Sequence, residues 1–229
     1  LESYTLSTPW DITTMGSATT VAIGSYFSSP YGTHGPTWND TGTEINLVTT
    51  PDYYDYYAAK LSFGTAWDIT SATTGSINGS ALSQGRSITA FNSTGTKAYQ
   101  FDGGQVYQYN LGSAYAWSAE SGAADASYNI GSTLSLYGFP RQIAFSSDGL
   151  IGVVFDTGIS YNGVITQFQL GTAYDVSTII SGTAQSTSLS IGIAYADRCG
   201  CYMSPDNTKL YVIAQSAFGQ PRVYQFSVA

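Results

Sequence analysis

Two short motifs recur in fixed order along this chain, and that recurrence limits its fold more than any other feature. The first motif reads Leu6-Ser-Thr-Pro-Trp10-Asp11-Ile-Thr, then Phe63-Gly-Thr-Ala-Trp67-Asp68-Ile-Thr. It returns as Leu111-Gly-Ser-Ala-Tyr115 and as Leu170-Gly-Thr-Ala-Tyr174-Asp175-Val-Ser. Its aromatic residues stand roughly fifty to sixty residues apart, the period of a four-stranded repeat unit. The second motif is an apolar strand end followed by a tight turn: Thr37-Trp38-Asn-Asp-Thr-Gly42, Ala90-Phe91-Asn-Ser-Thr-Gly95, Ala144-Phe145-Ser-Ser-Asp148-Gly149 and Tyr202-Met203-Ser-Pro-Asp206-Asn207. Two independent motifs keeping step four times define four copies of one structural unit.

Each unit resolves into four strands. Strand a ends at the residue before the turn, as in Gln142 to Phe145, and the turn carries Gly or Asn where a positive φ is required. Strand b follows at Lys97 to Phe101, Ile151 to Phe155 and Lys209 to Ile213. Strand c is Val106-Tyr-Gln-Tyr109, Ile165-Thr-Gln-Phe168 and Val223-Tyr-Gln-Phe226. Strand d is looser, at Thr20 to Tyr26, Gly75 to Leu82, Tyr128 to Leu136 and Thr187 to Ile193. No stretch carries a helical period over a useful length. The abundant Tyr, Thr, Ser and Gly suit half-buried strands joined by tight turns.

A lone antiparallel unit cannot bury both of its faces, so units must stack, and closing the stack into a ring hides its ends. The expectation is an all-β, four-bladed β-propeller with four-stranded antiparallel blades, forming a single domain over residues 1–229. The units run approximately 30–82, 83–136, 137–193, and 194–229 together with 1–29. The chain ends in strands a, b and c, and Thr20 to Tyr26 reads as a d strand that completes the same blade, so both ends close the ring. Leu1 to Ser7 resembles strand c and is surplus, an extra N-terminal strand with an edge on which a homo-oligomer could form.

Charge and residue counts narrow the function classes. Seven Lys plus Arg against fifteen Asp plus Glu give a net charge of −8. A nucleic acid is not the expected partner, because a phosphate backbone needs clustered cations. No apolar run approaches the length of a membrane-spanning helix, so membrane insertion is not expected. Cys199 and Cys201, one residue apart on a strand, read as small buried residues. With one His, no metal site or other cofactor is expected. Calcium remains a minor alternative at the turn carboxylates.

The repeated residues read as structural. The aromatics at 10, 67, 115 and 174 pack blades or turns, and Asp11, Asp68, Asp175, Asp148 and Asp206 accept backbone hydrogen bonds in turns. Function then belongs to the face where the repeats differ, formed by the b–c and d–a loops. Its most distinctive loop, Pro51 to Tyr57, offers Tyr53, Tyr54 and Tyr56 as flat surfaces with polar tips, suited to a sugar or a protein. Tyr161, Asn162 and Phe218 occupy other b–c loops. The d–a segments bring His34, Arg86, Arg141 and Arg198 to related positions near the channel, where an anionic or carbonyl-bearing ligand would fit. Each arginine could instead pair with a local carboxylate or carbonyl, such as Asp197. Enzyme signatures are sparse, and the expectation is a non-enzyme. Glycoside cleavage stays open only because Asp52, Asp55, Asp102 and Asp156 share the variable face.

The motifs Val106-Tyr-Gln-Tyr109, Leu6-Ser-Thr-Pro-Trp10-Asp11 and Ala144-Phe145-Ser-Ser-Asp148-Gly149 resemble a repeat type of propeller proteins in bacteriophages and in bacterial surface proteins. The resemblance covers almost the whole chain. Tyr115-Ala116 in place of Trp-Asp and Asn207 in place of the turn Gly depart from it. It implies a virion or extracellular location and a part such as a tail fibre, capsid decoration or adhesin module. The partners it implies are other virion proteins or a host surface glycan. A secreted or cell-surface lectin-like propeller and a glycan-cleaving propeller are the alternatives.

Overall fold

The computed structural model describes residues 1–23, 26–27, 32–50, 57–78, 90–102, 104–116, 124–133, 140–156, 162–192, 200–215 and 221–228. The chain is an all-β, four-bladed propeller with an additional N-terminal hairpin. The hairpin comprises β1 (Glu2–Leu6) and β2 (Met15–Thr20), joined by the 3-10 turn Ile12–Thr14. Blade 1 holds β3 (Gly32–Trp38), β4 (Glu44–Thr50), β5 (Tyr57–Phe63) and β6 (Ala72–Asn78). Blade 2 holds β7 (Ala90–Phe91), β8 (Lys97–Asp102), β9 (Gln105–Asn110) and β10 (Ala126–Asn129). Blade 3 holds β11 (Pro140–Phe145), β12 (Ile151–Asp156), β13 (Asn162–Leu170) and β14 (Ile179–Gly192). Blade 4 holds β15 (Gly200–Met203), β16 (Lys209–Gln215) and β17 (Pro221–Ser227). Every ladder is antiparallel between sequential neighbours, so each unit is a meander.

Alternation along each strand assigns one set of side chains to each neighbouring blade. In blade 2, Tyr99, Phe101 and Val106 point toward blade 3, where they share a buried cluster with Ile143, Val154 and Phe168. Ala98, Tyr109 and Leu111 point the other way and meet Ala58 of blade 1. Blades 3 and 4 join through Val153, Phe155, Cys201, Leu210 and Val212. Because both faces are covered, β12 is buried along nearly its whole length rather than on alternate residues.

The strands expected from sequence are present with altered extents, except the d strand at Thr20 to Tyr26, of which only Thr20 lies in a strand among the described residues. Strand d of blade 2 is short, and a single helical turn, Ile130–Thr133, follows it. The chain ends meet differently from the expectation. β2 spans Met15–Thr20 and pairs with β1, while β17 pairs with β16; blade 4 is thus three-stranded among the described residues. Met15–Thr20 has no apolar alternation, so nothing in its side chains drives it onto the flank of β17. The hairpin instead lies between blades 4 and 1. Leu1, Val21 and Ile23 pack on the blade 1 cluster of Ile45, Leu47 and Leu61. Its turn sits on blade 4, where the Ile12 amide donates to Gln225 Oε1 at 3.2 Å.

Candidate functional site

The described residues include nearly all of one face of the ring, the side of the a–b and c–d turns. Here the repeated aromatics adopt an unusual backbone. Trp10, Trp67, Tyr115 and Tyr174 have φ of 60, 62, 56 and 58°, in the left-handed region. For a residue with a Cβ that conformation costs roughly 1–2 kcal/mol. The compensation is local. The amides of Trp67, Tyr115 and Tyr174 donate to the carbonyls of Gly42, Gly95 and Gly149 at 2.7, 2.8 and 2.8 Å. Each ring then lies flat over the same glycine, where a Cβ would meet ring carbons at 2.3 Å. Those glycines have positive φ themselves, so both their conformation and their missing side chain are required. The ring also packs on the last residue of strand a: Trp38 on Trp67 at 5.3 Å, Phe91 on Tyr115 at 5.5 Å, Phe145 on Tyr174 at 5.5 Å.

The acidic residues of this face are engaged in the same turns. Asp11, Asp68 and Asp175 cap the 3-10 turns by accepting from the amides of Thr13, Thr70 and Ser177. Asp148 accepts from Ser146 Oγ at 2.6 Å and the Leu150 amide at 3.0 Å; Asp206 accepts from Ser204 Oγ at 2.6 Å and the Thr208 amide at 3.1 Å. Side-chain hydroxyl donors, seconded by amides, hold Asp11, Asp68, Asp148 and Asp206 below the usual carboxylate pKa. Carboxylates so held are poor proton carriers at neutral pH. The structural reading of these residues from sequence is therefore what the geometry shows.

One set of residues on this face was not singled out from sequence. Tyr99 of blade 2 donates its hydroxyl to the carbonyl of Tyr174 in blade 3 at 2.7 Å, and Lys97 donates to the same carbonyl at 3.2 Å. Gln108 of blade 2 accepts from the Val176 amide at 3.0 Å. Burial pushes the Tyr99 phenol pKa up, so it stays protonated and remains a donor. Blade 4 repeats the arrangement on the hairpin: Lys209 and Tyr211 donate to the Trp10 carbonyl, and Gln225 accepts from Ile12. The sequence signal existed, as Lys-x-Tyr in strand b followed by Tyr-Gln in strand c, in blades 2 and 4 alone. Further bonds link adjacent turns: Tyr174 to Ser93 at 2.9 Å, and Ser147 to Asn207 at 2.9 Å.

The binding candidates are expected on the opposite face. Tyr53, Tyr54, Tyr56, Tyr161, Phe218, Arg86 and Arg198 lie outside the described residues, as do Asp52, Asp55 and Cys199. The backbones of His34, Arg141 and Asn162 are placed, in β3, β11 and β13. Asp102 and Asp156 end the two strands b of blades 2 and 3, and Asp156 is buried. Cys201 is buried. Among the described residues no group of three or more His, Cys, Asp or Glu could hold a metal ion, and no helix is long and apolar enough to cross a membrane.

No family model matches the chain, and no curated protein matches it. Solved structures do. A functionally unknown protein from Desulfotomaculum acetoxidans aligns at 12% identity with a TM-score of 0.50, covering 94% of this chain and 58% of that one. TolB from Acinetobacter baumannii aligns at 10% identity and TM-score 0.49, covering 86% and 41%. The periplasmic gluconolactonase of Pseudomonas aeruginosa aligns at 15% and 0.45, covering 88% and 58%. At such identities the likeness concerns the fold alone. The chain spans about half the length of these structures.

Proposed function

We propose that the chain is a non-enzymatic structural and binding module, a component of a bacteriophage particle such as a tail fibre, capsid decoration or receptor-binding part. Its loop face would engage a host glycan or another virion protein. One observation supports this most: on the turn face, the repeated aromatic and acidic side chains are occupied with one another and with the backbone. That leaves the unequal b–c and d–a segments of the sequence, which include Tyr53, Tyr54 and Tyr56, as the part free to vary. The virion assignment rests on the motif resemblance. The test is a glycan array with reducing-end detection, run on the intact protein and on the Tyr53→Ala/Tyr54→Ala/Tyr56→Ala variant. Binding without new reducing ends, weakened in the variant, supports the reading. New reducing ends would replace it with a glycan-cleaving one, for which Asp52→Asn and Asp156→Asn are the next variants. Electron microscopy of the source material then places the chain on or off a particle.

A further inference from the structure

Three reactive or proton-carrying side chains meet on the side of blade 1 that faces blade 2. β4 and β5 are antiparallel neighbours, with Asn46 directly opposite Lys60. Glu44 lies two residues before Asn46 and therefore on the same face. That face looks toward blade 2, because Ile45, Leu47, Ala59 and Leu61 fill the cluster on the other side while Ala58 meets Ala98. At the equivalent positions blades 2 and 4 carry a Lys, a Tyr and a Gln, and blade 3 an Ile, a Val and a Gln. Only blade 1 sets a carboxylate, a carboxamide and a primary amine side by side.

Chemically the three are a nucleophile, an electrophile and a proton carrier. Facing residues of an antiparallel pair have Cβ atoms about 4.5–5.5 Å apart, so the flexible stem of Lys60 can lay its amine against the Asn46 carboxamide without backbone movement. Lys60 Nζ already donates to Glu44 Oε1 at 2.8 Å. Asn46 is fully buried, and among the described residues neither its Oδ1 nor its Nδ2 has a hydrogen-bond partner. Burial keeps water from its carbonyl carbon and so favours an amine over hydrolysis. Lys60 and Glu44 reach the rim of the junction, with side chains 34% and 30% exposed, which gives a small leaving molecule a way out.

We propose that Lys60 and Asn46 join in an intramolecular isopeptide bond, with Glu44 carrying the protons. Glu44 accepts a proton from the Lys60 ammonium, and the freed Nζ adds to Asn46 Cγ as the carbonyl electron pair moves to Oδ1. Glu44 then gives its proton to Nδ2 and takes a second one from Nζ. When the carbonyl re-forms, the Cγ–Nδ2 bond breaks and ammonia leaves, to be protonated in solvent by the proton that Glu44 releases. Nothing is oxidised or reduced. The new bond closes a covalent ring around residues 47–59, the segment that carries Tyr53, Tyr54 and Tyr56. It ties strands b and c of blade 1 together whatever that segment binds.

The test is peptide mapping of the folded full chain by mass spectrometry. Asp52 and Asp55 lie between the two residues, so cleavage before aspartates separates 40–51 from 55–67 unless they are joined. The expected product is one joined pair, lighter than the sum of its parts by one ammonia. Trypsin should likewise fail at Lys60, the first Lys or Arg of the chain, and release 1–86 in place of 1–60. Lys60→Arg should abolish the joined pair. Glu44→Gln should slow its appearance after refolding by about a hundredfold, an effect that a purely structural Glu44 would not produce. Separate 40–51 and 55–67 peptides alone, after prolonged incubation of the folded chain, overturn the proposal. So does loss of one ammonia without the joined pair, since the loss would then lie at another amide. An unchanged rate in Glu44→Gln would remove the carboxylate from the reaction.

Discussion

The two sides of blade 2 meet their neighbours by different means. Toward blade 3 it presents Tyr99, Phe101 and Val106 to a large apolar cluster, and its Lys97, Tyr99 and Gln108 hold the next turn. Toward blade 1 it presents Ala98, Tyr109 and Leu111 to Ala58, a much smaller cluster among the described residues. Blade 1 answers with Glu44, Asn46 and Lys60 where blade 2 has Lys97, Tyr99 and Gln108. Glu44 and Lys60 pair with each other at 2.8 Å rather than with the neighbouring blade. Asn46 is fully buried, and neither polar atom of its amide has a hydrogen-bond partner among the described residues. A buried amide without partners costs about 1–3 kcal/mol. Among the described residues, the same fold thus contains a junction fastened by packing and directed hydrogen bonds, and another that is thin and partly polar.

If packing carries the stronger junction, Phe168→Ala should cost most, about 3–5 kcal/mol in denaturant unfolding. A loss below about 1 kcal/mol would mean that the cluster relaxes freely. Gly149→Ala should cost about 2–4 kcal/mol, from the left-handed backbone and the clash with Tyr174 together. Full retention of stability there would refute the ring-over-glycine lock. At the weaker junction the sign reverses. In a Lys60→Arg background, where no bond to Asn46 can form, Asn46→Leu should stabilise by about 1–2 kcal/mol by removing the unsatisfied amide, and should slow amide exchange in β4 and β8. Destabilisation would show that the amide is satisfied in solution. Tyr99→Phe should cost about 1 kcal/mol and loosen the Tyr174 turn alone.

The smallest effect separates the two halves of the ring by pH. The a–b turns of blades 1 and 2 are organised by neutral Asn39 and Asn92, whose carbonyl oxygens accept from Thr43 and Lys97 amides. Those of blades 3 and 4 use Asp148 and Asp206, whose pKa is lowered by Ser146 and Ser204. A lowered folded-state pKa gives stability that is present above the ordinary carboxylate value and is lost as pH falls through the folded one. Amide exchange at Leu150 and Thr208 should therefore accelerate below about pH 4 while the Lys97 amide does not change with them. Parallel behaviour of all three would remove the carboxylates from the account.

Motifs that repeat within one turn were legible in the sequence, because their period and their Gly, Asn and Asp positions follow from local geometry. Strand order and blade number came from the same source. The positive φ of Trp67 or Tyr174 was not legible, since nothing in an aromatic residue signals a left-handed backbone; only the facing glycine makes it affordable. The hairpin was half legible. Leu1 to Ser7 announced itself as a c-type strand, but Met15–Thr20 offered no apolar face from which its partner could be chosen. The thin junction was invisible, as a lone Asn46 on a strand looks like any solvent-facing residue. The loop face rests on unequal, non-repeating segments, which leave no pattern to compare.

Trp67 and Gly42 belong to one repeat unit, as do Tyr115 with Gly95 and Tyr174 with Gly149. A duplication or excision in register would therefore carry each lock whole into a longer or shorter ring. The contacts of Lys97, Tyr99 and Gln108 belong to two units at once, and every such rearrangement would rejoin halves shaped by different histories. Growth and loss of repeats should leave the turns intact and be recorded at the seams.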